Sequence, residues 1–368
     1  MALNCGIVGL PNVGKSTIFS AVTSAPAEAA NYPFCTIDPN VGIVAVPDSR
    51  LDKISQLIPA KKVIPATVEF VDIAGLVKGA SKGEGLGNRF LASIREVGVI
   101  AHVVRCFDNS DIVHVNNKID PASDIETINI ELALADLETV QKRYDKQSKM
   151  GRVSKEQQKE NEKVLPIYKR IIDCLEEGRP ARQLGLDEDE LGLVYDLHLM
   201  TLKPIVYVCN VDEDSMSEDN AYVSTVRGIA AREGAPVVVI CGKIEAEIAA
   251  LESAEERQEF LEASGLAESG LNPLIRASYA LLGLRTFFTA GPDEDRAWTF
   301  KAGSKAPECA GIIHSDFEKG FIRAEIYSYD DLVAYGSEAK VREAGKLRLE
   351  GKEYVVEDGD IVFFRFNV

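Results

Sequence analysis

Gly9-Leu10-Pro11-Asn12-Val13-Gly14-Lys15-Ser16 decides the fold. The run matches G-x-x-x-x-G-K-[ST], the spacing of a loop that cradles phosphate oxygens. Its flanks fit that reading: Cys5-Gly6-Ile7-Val8 is a short apolar run suited to a buried strand, and Thr17-Ile18-Phe19-Ser20-Ala21-Val22 opens a helix. Backbone N–H groups at such a helix start, reinforced by the helix dipole, attract phosphate. Asn12, Val13, Gly14, Lys15, Ser16 and Thr17 are the expected nucleotide contacts. Lys15 would supply positive charge to the β- and γ-phosphates, and Ser16 a hydroxyl to Mg2+.

Outward from this loop, three further segments fit a nucleotide switch. Asp72-Ile73-Ala74-Gly75 ends a strand-like run with D-x-x-G. Asp72 would hold Mg2+ through water, and the Gly75 N–H would sense the γ-phosphate. Thr36 lies between the loop and that strand, where switch proteins place a second hydroxyl ligand for Mg2+. Leu76 occupies the position that in Ras-like enzymes carries a water-orienting glutamine, and a leucine cannot orient water. Hydrolysis then needs another group. Asn12 is a candidate K+ ligand, with loop stabilisation as the other reading. His114 is a candidate water-positioning or acid–base residue, with a structural role as the other reading.

The base-reading segment departs from the guanine pattern N-K-x-D. The chain carries Asn210-Val211-Asp212-Glu213 after an apolar strand. Guanine presents a ring N1–H and a 2-amino group to the Asp of N-K-x-D; adenine lacks the amino group and its N1 is an acceptor. Losing that Asp removes the main reason to prefer guanine. Asn210 is expected at the base edge, Val211 against the base face, and Glu213 nearby.

The 368 residues allow two or three domains, and 46% hydrophobic residues supply their cores. No apolar run is long enough for a bilayer, and the N-terminus lacks a secretory signal pattern. Seven scattered cysteines without a C-x-x-C or zinc spacing suit reduced thiols in a cytoplasmic protein. The formal net charge of −17 argues against nucleic-acid binding by the whole surface. Residues 142–163 nevertheless hold eight basic and four acidic residues. Apolar stripes at Ile130, Leu134, Leu137 and Tyr144, and at Val164, Tyr168, Ile171 and Leu175, predict a coiled helical hairpin with this basic cluster at its tip. Strands separated by helices predict a largely parallel sheet on either side of that insertion. Beyond it, Glu245 to Leu284 reads as helical, Pro307 to Phe317 as a helix, and 346–355 as a hairpin turning near Gly351, within a small α+β module.

Taken together, Gly6–Thr17, Tyr32-Pro33-Phe34-Cys35-Thr36-Ile37, Asp72–Ala80, the Gly-rich continuation Ser81–Asn88 and the N-x-x-E form at Asn210–Glu213 resemble the Obg-like ATPase family, also called the YchF family, over nearly the whole chain. The resemblance implies an Obg-type P-loop domain over 1–122 and 201–278, a helical coiled insertion over 123–200, and a β-grasp TGS module over 279–368. It also implies slow hydrolysis of ATP in preference to GTP, dependence on Mg2+, and binding to the ribosome or its large subunit. An Obg-type GTPase, or a nucleotide-gated ribosome- or RNA-binding module with negligible turnover, is the alternative. No membrane partner is expected, and the oligomeric state is left open.

Overall fold

Residues 3–24, 40–73, 86–115, 118–149 and 154–367 are described by the structure, a computed structural model. They fall into two units, Met1–Gly42 with Glu69–Leu274, and Ile43–Val68 with Ile275–Val368.

In the first unit, β1 (Asn4–Val8) leads through the glycine-containing loop into α1 (Lys15–Ser24). β2 (Val41–Ala45), β4 (Thr67–Asp72), β5 (Val99–Arg105), β6 (Ile205–Asn210) and β7 (Val237–Ile240) complete a sheet of order β2-β4-β1-β5-β6-β7. β1 runs parallel to both β4 and β5, and β5, β6 and β7 continue in parallel. Every residue of β5 and β6 is buried, so both faces of the sheet are covered, as continuous apolar strands require. Of the helices beside it, α7 (Ala221–Glu233) packs on β6 and β7, and α8 (Gly242–Ala250) packs on α1; α3 (Leu86–Glu96) leads into β5. The stretch expected to be helical from Glu245 is three helices, α8, α9 (Ala254–Ala263) and α10 (Leu271–Leu281), with strand resuming at Leu284.

The inserted helices are α4 (Pro121–Ser148) and α5 (Lys155–Glu176), followed by the short α6 (Glu188–Val194). Asp120 caps α4 by accepting from the Ser123 N–H at 3.3 Å, with Pro121 in the first turn where its missing N–H costs nothing. Val140, Val164, Tyr168, Ile171 and Leu175 share one buried cluster, with Leu137 and Tyr144 packed against it. The expected α5 stripe is therefore buried throughout. The α4 stripe needs correction: Ile130 and Leu134 are each 41% exposed, and Ile125, Ile128, Leu132 and Ala135 are buried instead. The physical reason is a polar residue in the buried face. The Asp136 carboxylate accepts from the Met200 N–H at 3.1 Å, the Thr201 N–H at 2.7 Å and the Thr201 hydroxyl at 2.7 Å. It caps the turn at Met200–Leu202 and draws α4 onto that face.

A second buried polar cluster ties the insertion to the sheet. Arg182 and Glu233 pair at 2.8 Å, Arg182 also donates to Asn129 Oδ1 at 3.3 Å, and the Tyr207 hydroxyl donates to Glu233 at 3.1 Å. Beside it, the His102 ring lies 5.6 Å from that of Tyr207. Burial, aided by the Arg182 charge, pushes His102 down to about 3, so the imidazole is neutral at physiological pH.

The second unit carries β3 (Val63–Ile64), β8 (Leu284–Thr289), β9 (Asp295–Lys301), β10 (Phe321–Ser328), β11 (Arg348–Glu350) and β12 (Asp360–Phe366), in the order β11-β10-β12-β8-β9-β3. α11 (Ala306–Ile313) supplies Ala306, Cys309 and Ala310 to a core with Phe287, Phe300, Ile326, Val362 and Phe364, which is the β-grasp arrangement of a helix on a mixed sheet. The helix expected over 307–317 breaks at the extended His314 and resumes as α12 (Ser315–Lys319). The hairpin expected over 346–355 has one regular arm, β11, which pairs with β10; residues 351–355 form only an isolated bridge, Lys305 to Val355. α13 (Tyr329–Tyr335) and α14 (Glu338–Glu343) complete the unit.

Residues 43–68, including α2 (Ser49–Leu57), group with the C-terminal residues, although the expected boundary placed them with the P-loop. Long-range contacts decide this. Val63 and Ile64 pair with Asp295 and Arg296, and Arg50 binds Asp358 at 2.8 Å while its guanidinium lies 5.3 Å from the centre of the Phe288 ring.

Candidate nucleotide site

The loop between β1 and α1 has the backbone of a phosphate cradle. Asn12 takes φ +62° and Gly14 φ +91°. Asparagine tolerates the left-handed region, and glycine enters it without strain. The first N–H groups of α1 have no partners within the helix, and the loop delivers them at Lys15, Ser16 and Thr17. Lys15 is 9% exposed and its ammonium pairs with Asp72 at the end of β4. Ser16 and Thr17 are exposed at the helix start. A lysine, an acidic group and a hydroxyl thus meet at one end of a parallel sheet, where the carboxyl ends of such strands bind ligands.

Asn210 is a clamp. Its Nδ2 donates to the Val13 carbonyl at 2.9 Å, and its Oδ1 accepts from the Gly242 N–H at 3.0 Å. The residue expected at the base edge thereby joins the phosphate loop to the loop after β7. A Cβ on Gly14 would stand 2.1 Å from Asn210 Nδ2, so the glycine is required by contact as well as by φ. Val211 is 3% exposed, and its N–H donates to the Ile240 carbonyl at 2.9 Å. Glu213 pairs with Lys243 at 2.7 Å in an exposed ion pair. The Glu213 carboxylate raises the Lys243 ammonium above its ordinary range.

The loop after β5 is bonded to the phosphate loop. Asn12 Nδ2 donates to the Val113 carbonyl at 3.1 Å. Val113 is 66% exposed, whereas His114 beside it is buried and its Nε2 lies 2.9 Å from Asp124 Oδ2. Burial pushes the Asp124 carboxyl up, against the lowering effect of His114. His114 is thus a buried, carboxylate-oriented imidazole one residue from the P-loop contact. Thr36, Gly75 and Leu76 lie outside the described residues, as do the segments 32–37 and 74–85.

One contributor was missed from sequence. Arg105, at the end of β5, is 1% exposed and donates to three carbonyls: Phe107 at 3.2 Å, Asn109 at 3.0 Å and Ile112 at 2.8 Å. Its guanidinium also lies 4.6 Å from the centre of the Phe107 ring. It braces the loop that presents Val113 and His114. A lone charge inside the apolar run Val103-Val104-Arg105-Cys106 was the available signal, because arginine is rarely buried without specific partners.

A parallel sheet ending on this cradle, with its lysine, acidic partner and asparagine clamp, defines a P-loop nucleoside triphosphatase of the switch type. A family described as 50S ribosome-binding GTPase matches residues 4–162, and one described as YchF-GTPase C-terminal, a protein of unknown function, matches 284–367. Proteins named ribosome-binding ATPase YchF from Bacillus subtilis, Haemophilus influenzae and Escherichia coli O157:H7 are 60%, 55% and 53% identical, each over 100% of both chains. A solved structure titled as the Schizosaccharomyces pombe YchF GTPase superposes with a TM-score of 0.89 at 38% identity, covering 99% of this chain and 97% of that one. The chain belongs to the YchF family.

Proposed function

We propose that this protein is an ATP-hydrolysing conformational switch that works on the ribosome or its large subunit. The carrying observation is the Asn210 clamp, which joins the phosphate loop to a base-side segment in N-x-x-E form. The relatives' names divide over the base: the bacterial proteins are called ATPases and the fission-yeast structure a GTPase. The chemistry of this chain favours adenine. Glu213 is engaged by Lys243, and no aspartate stands at the fourth position to accept from a guanine 2-amino group. Titration calorimetry with each nucleotide tests this: ATP is expected to bind more tightly, and equal or reversed affinities would end the adenine assignment.

The oxygen donors Ser16, Asp72 and Thr36 suit Mg2+, a hard cation that usually takes few protein ligands beside phosphate oxygens. The position of Asp72, close enough to the phosphate loop to pair with Lys15, supports this reading. A Mg2+ ion held by these donors would supply positive charge to a bound triphosphate. Lys15 neutralises phosphate charge, the N–H groups of Val13 to Thr17 orient it, and Gly75 reads the γ-position. With Leu76 unable to hold water, we assign the substitute roles to His114, oriented by Asp124, and to Asn12. The Asn12 bond to Val113 uses its Nδ2 and leaves Oδ1 as the donor for K+.

The 123–200 insertion, which interrupts a nucleotide domain over 1–122 and 201–278, serves as the partner-binding arm; a TGS module over 279–368 follows, and residues 43–68 group with it. Its tip carries exposed Lys142, Lys146, Lys149 and Lys159 in a chain of net charge −17. Such a local basic surface suits RNA of the particle. Charge reversal at Lys146, Lys149 and Lys159 together is expected to weaken ribosome co-sedimentation and to make the remaining binding less dependent on salt; unchanged pelleting would remove the tip from the contact. The cytoplasm follows from this partner, and no described helix is long and apolar enough to cross a membrane.

A further inference from the structure

The β-grasp sheet of the second unit has two faces, and only one is filled by α11. On the other face, Tyr327, Ile361 and Phe288 are buried where α2 and α13 pack on the sheet. The outer end of that same face is open. Register places Glu325 opposite both Phe363 and Leu349, and Arg323 opposite Arg365, so these five side chains share it. Leu349 is 59% and Phe363 55% exposed. The Arg365 guanidinium lies 4.3 Å from the centre of the Phe363 ring and donates to Glu325 at 2.9 Å. Arg323 and Arg342 converge on the same carboxylate but stand 3.9 Å away, longer than a hydrogen bond, and Arg342 also binds Glu338 at 3.2 Å. The three guanidinium groups hold the Glu325 carboxyl below its usual range, Arg365 foremost.

We propose that this open end is a docking surface for an acidic, apolar-containing peptide segment of a protein partner. Three arginines around two exposed apolar side chains form a positive, partly greasy patch on a strongly acidic chain. Glu325 shows what the arginines accept: a carboxylate already sits among them, and Arg323 has donors directed at it that fall short of bonding. A partner carboxylate would meet Arg323 and Arg342 at bonding distance while a leucine or phenylalanine covered Leu349 and Phe363. Arginine and aromatic groups at the centre of such a patch are the usual anchors of protein interfaces. Single-stranded RNA fits less well. Base-stacking platforms offer successive aromatic faces along a basic groove. Here one aromatic side chain is open, a guanidinium already lies over it, and the charges converge on a point instead of following a line.

The test uses the full chain and a fluorescent, end-blocked peptide of aspartates and glutamates interrupted by leucine and phenylalanine, with its lysine-for-acid counterpart and a short unstructured RNA as controls. Binding is read by anisotropy, and two-dimensional NMR of the labelled protein locates it. The acidic peptide is expected to bind, to shift resonances on β10, β11 and β12, and to lose about tenfold in affinity in Arg323→Glu and separately in Leu349→Ser. Both side chains are surface-exposed, so folding and nucleotide turnover stay at parental levels; turnover reports on the other unit and separates this proposal from the ATPase reading. Absence of peptide binding at low salt, binding that both variants leave unchanged, or RNA binding lost in those variants would each overturn the proposal.

Discussion

Gly14→Ala is expected to cost about 3 kcal/mol or more of stability and to abolish tight nucleotide binding. An alanine at φ +91° is strained by about 1–2 kcal/mol, and its Cβ would lie 2.1 Å from Asn210 Nδ2. The clash has no cheap escape. Asn210 moves only by surrendering its bonds to the Val13 carbonyl and the Gly242 N–H, both buried, and a buried polar group left unpaired costs about 1–3 kcal/mol. Thermal unfolding with and without nucleotide measures both effects. The double variant Gly14→Ala, Asn210→Ala isolates the steric part: with the amide gone, its cost should fall well short of the sum of the two single changes. Parental stability and affinity in Gly14→Ala would show that the clamp is not where binding is decided.

Lys15→Met should lower ATP turnover by at least about a hundredfold, the usual scale for removing one preorganised charge from a developing anion. Methionine keeps the apolar stem at a position that is 9% exposed, so the fold is retained and circular dichroism should match the parent. Asp72 loses its cation in this variant, which penalises phosphate binding a second time because the unpaired carboxylate repels it. Turnover near the parental rate would remove Lys15 from the phosphate site. Ribosome pelleting in the same variant separates chemistry from association: loss of turnover with pelleting intact means the arm binds without hydrolysis.

The phosphate loop was legible because its chemistry is local. Eight consecutive residues carry two glycines, a lysine and a hydroxyl at fixed spacing, and no distant contact is needed to recognise them; the positive φ of Asn12 was not read from the sequence. Asn210 was expected at the base edge; its role as a clamp was not legible, because it depends on Val13 and Gly242, far from it in sequence. Arg105, Val113 and Asp124 were not legible as a group, since their association rests on carbonyls and carboxylates brought together by the path of one loop. Ile130 and Leu134 misled because Asp136 lies in the truly buried face of α4, and a helix whose inner face includes a satisfied carboxylate presents a blurred stripe. Residues 43–68 carried no signal of their allegiance; a two-residue strand, the packing of α2 on β9 and α13, and the contacts of Arg50 decide it.

Asn12, Val113, His114 and Asp124 form an unbroken series of bonded or adjacent residues that starts in the phosphate loop and ends in the first turn of α4. That helix is 28 residues long, which at 1.5 Å per residue makes a shaft of about 42 Å. Its root is therefore bonded, through the loop after β5, to the phosphate loop in which the proposed switch would sense loss of a γ-phosphate. A tilt of a tenth of a radian at the root would sweep the far end through about 4 Å, more than the length of a hydrogen bond. On the proposed function, a chemical change the size of one phosphate would gain a mechanical advantage from this shaft, delivered at the end that carries the lysines.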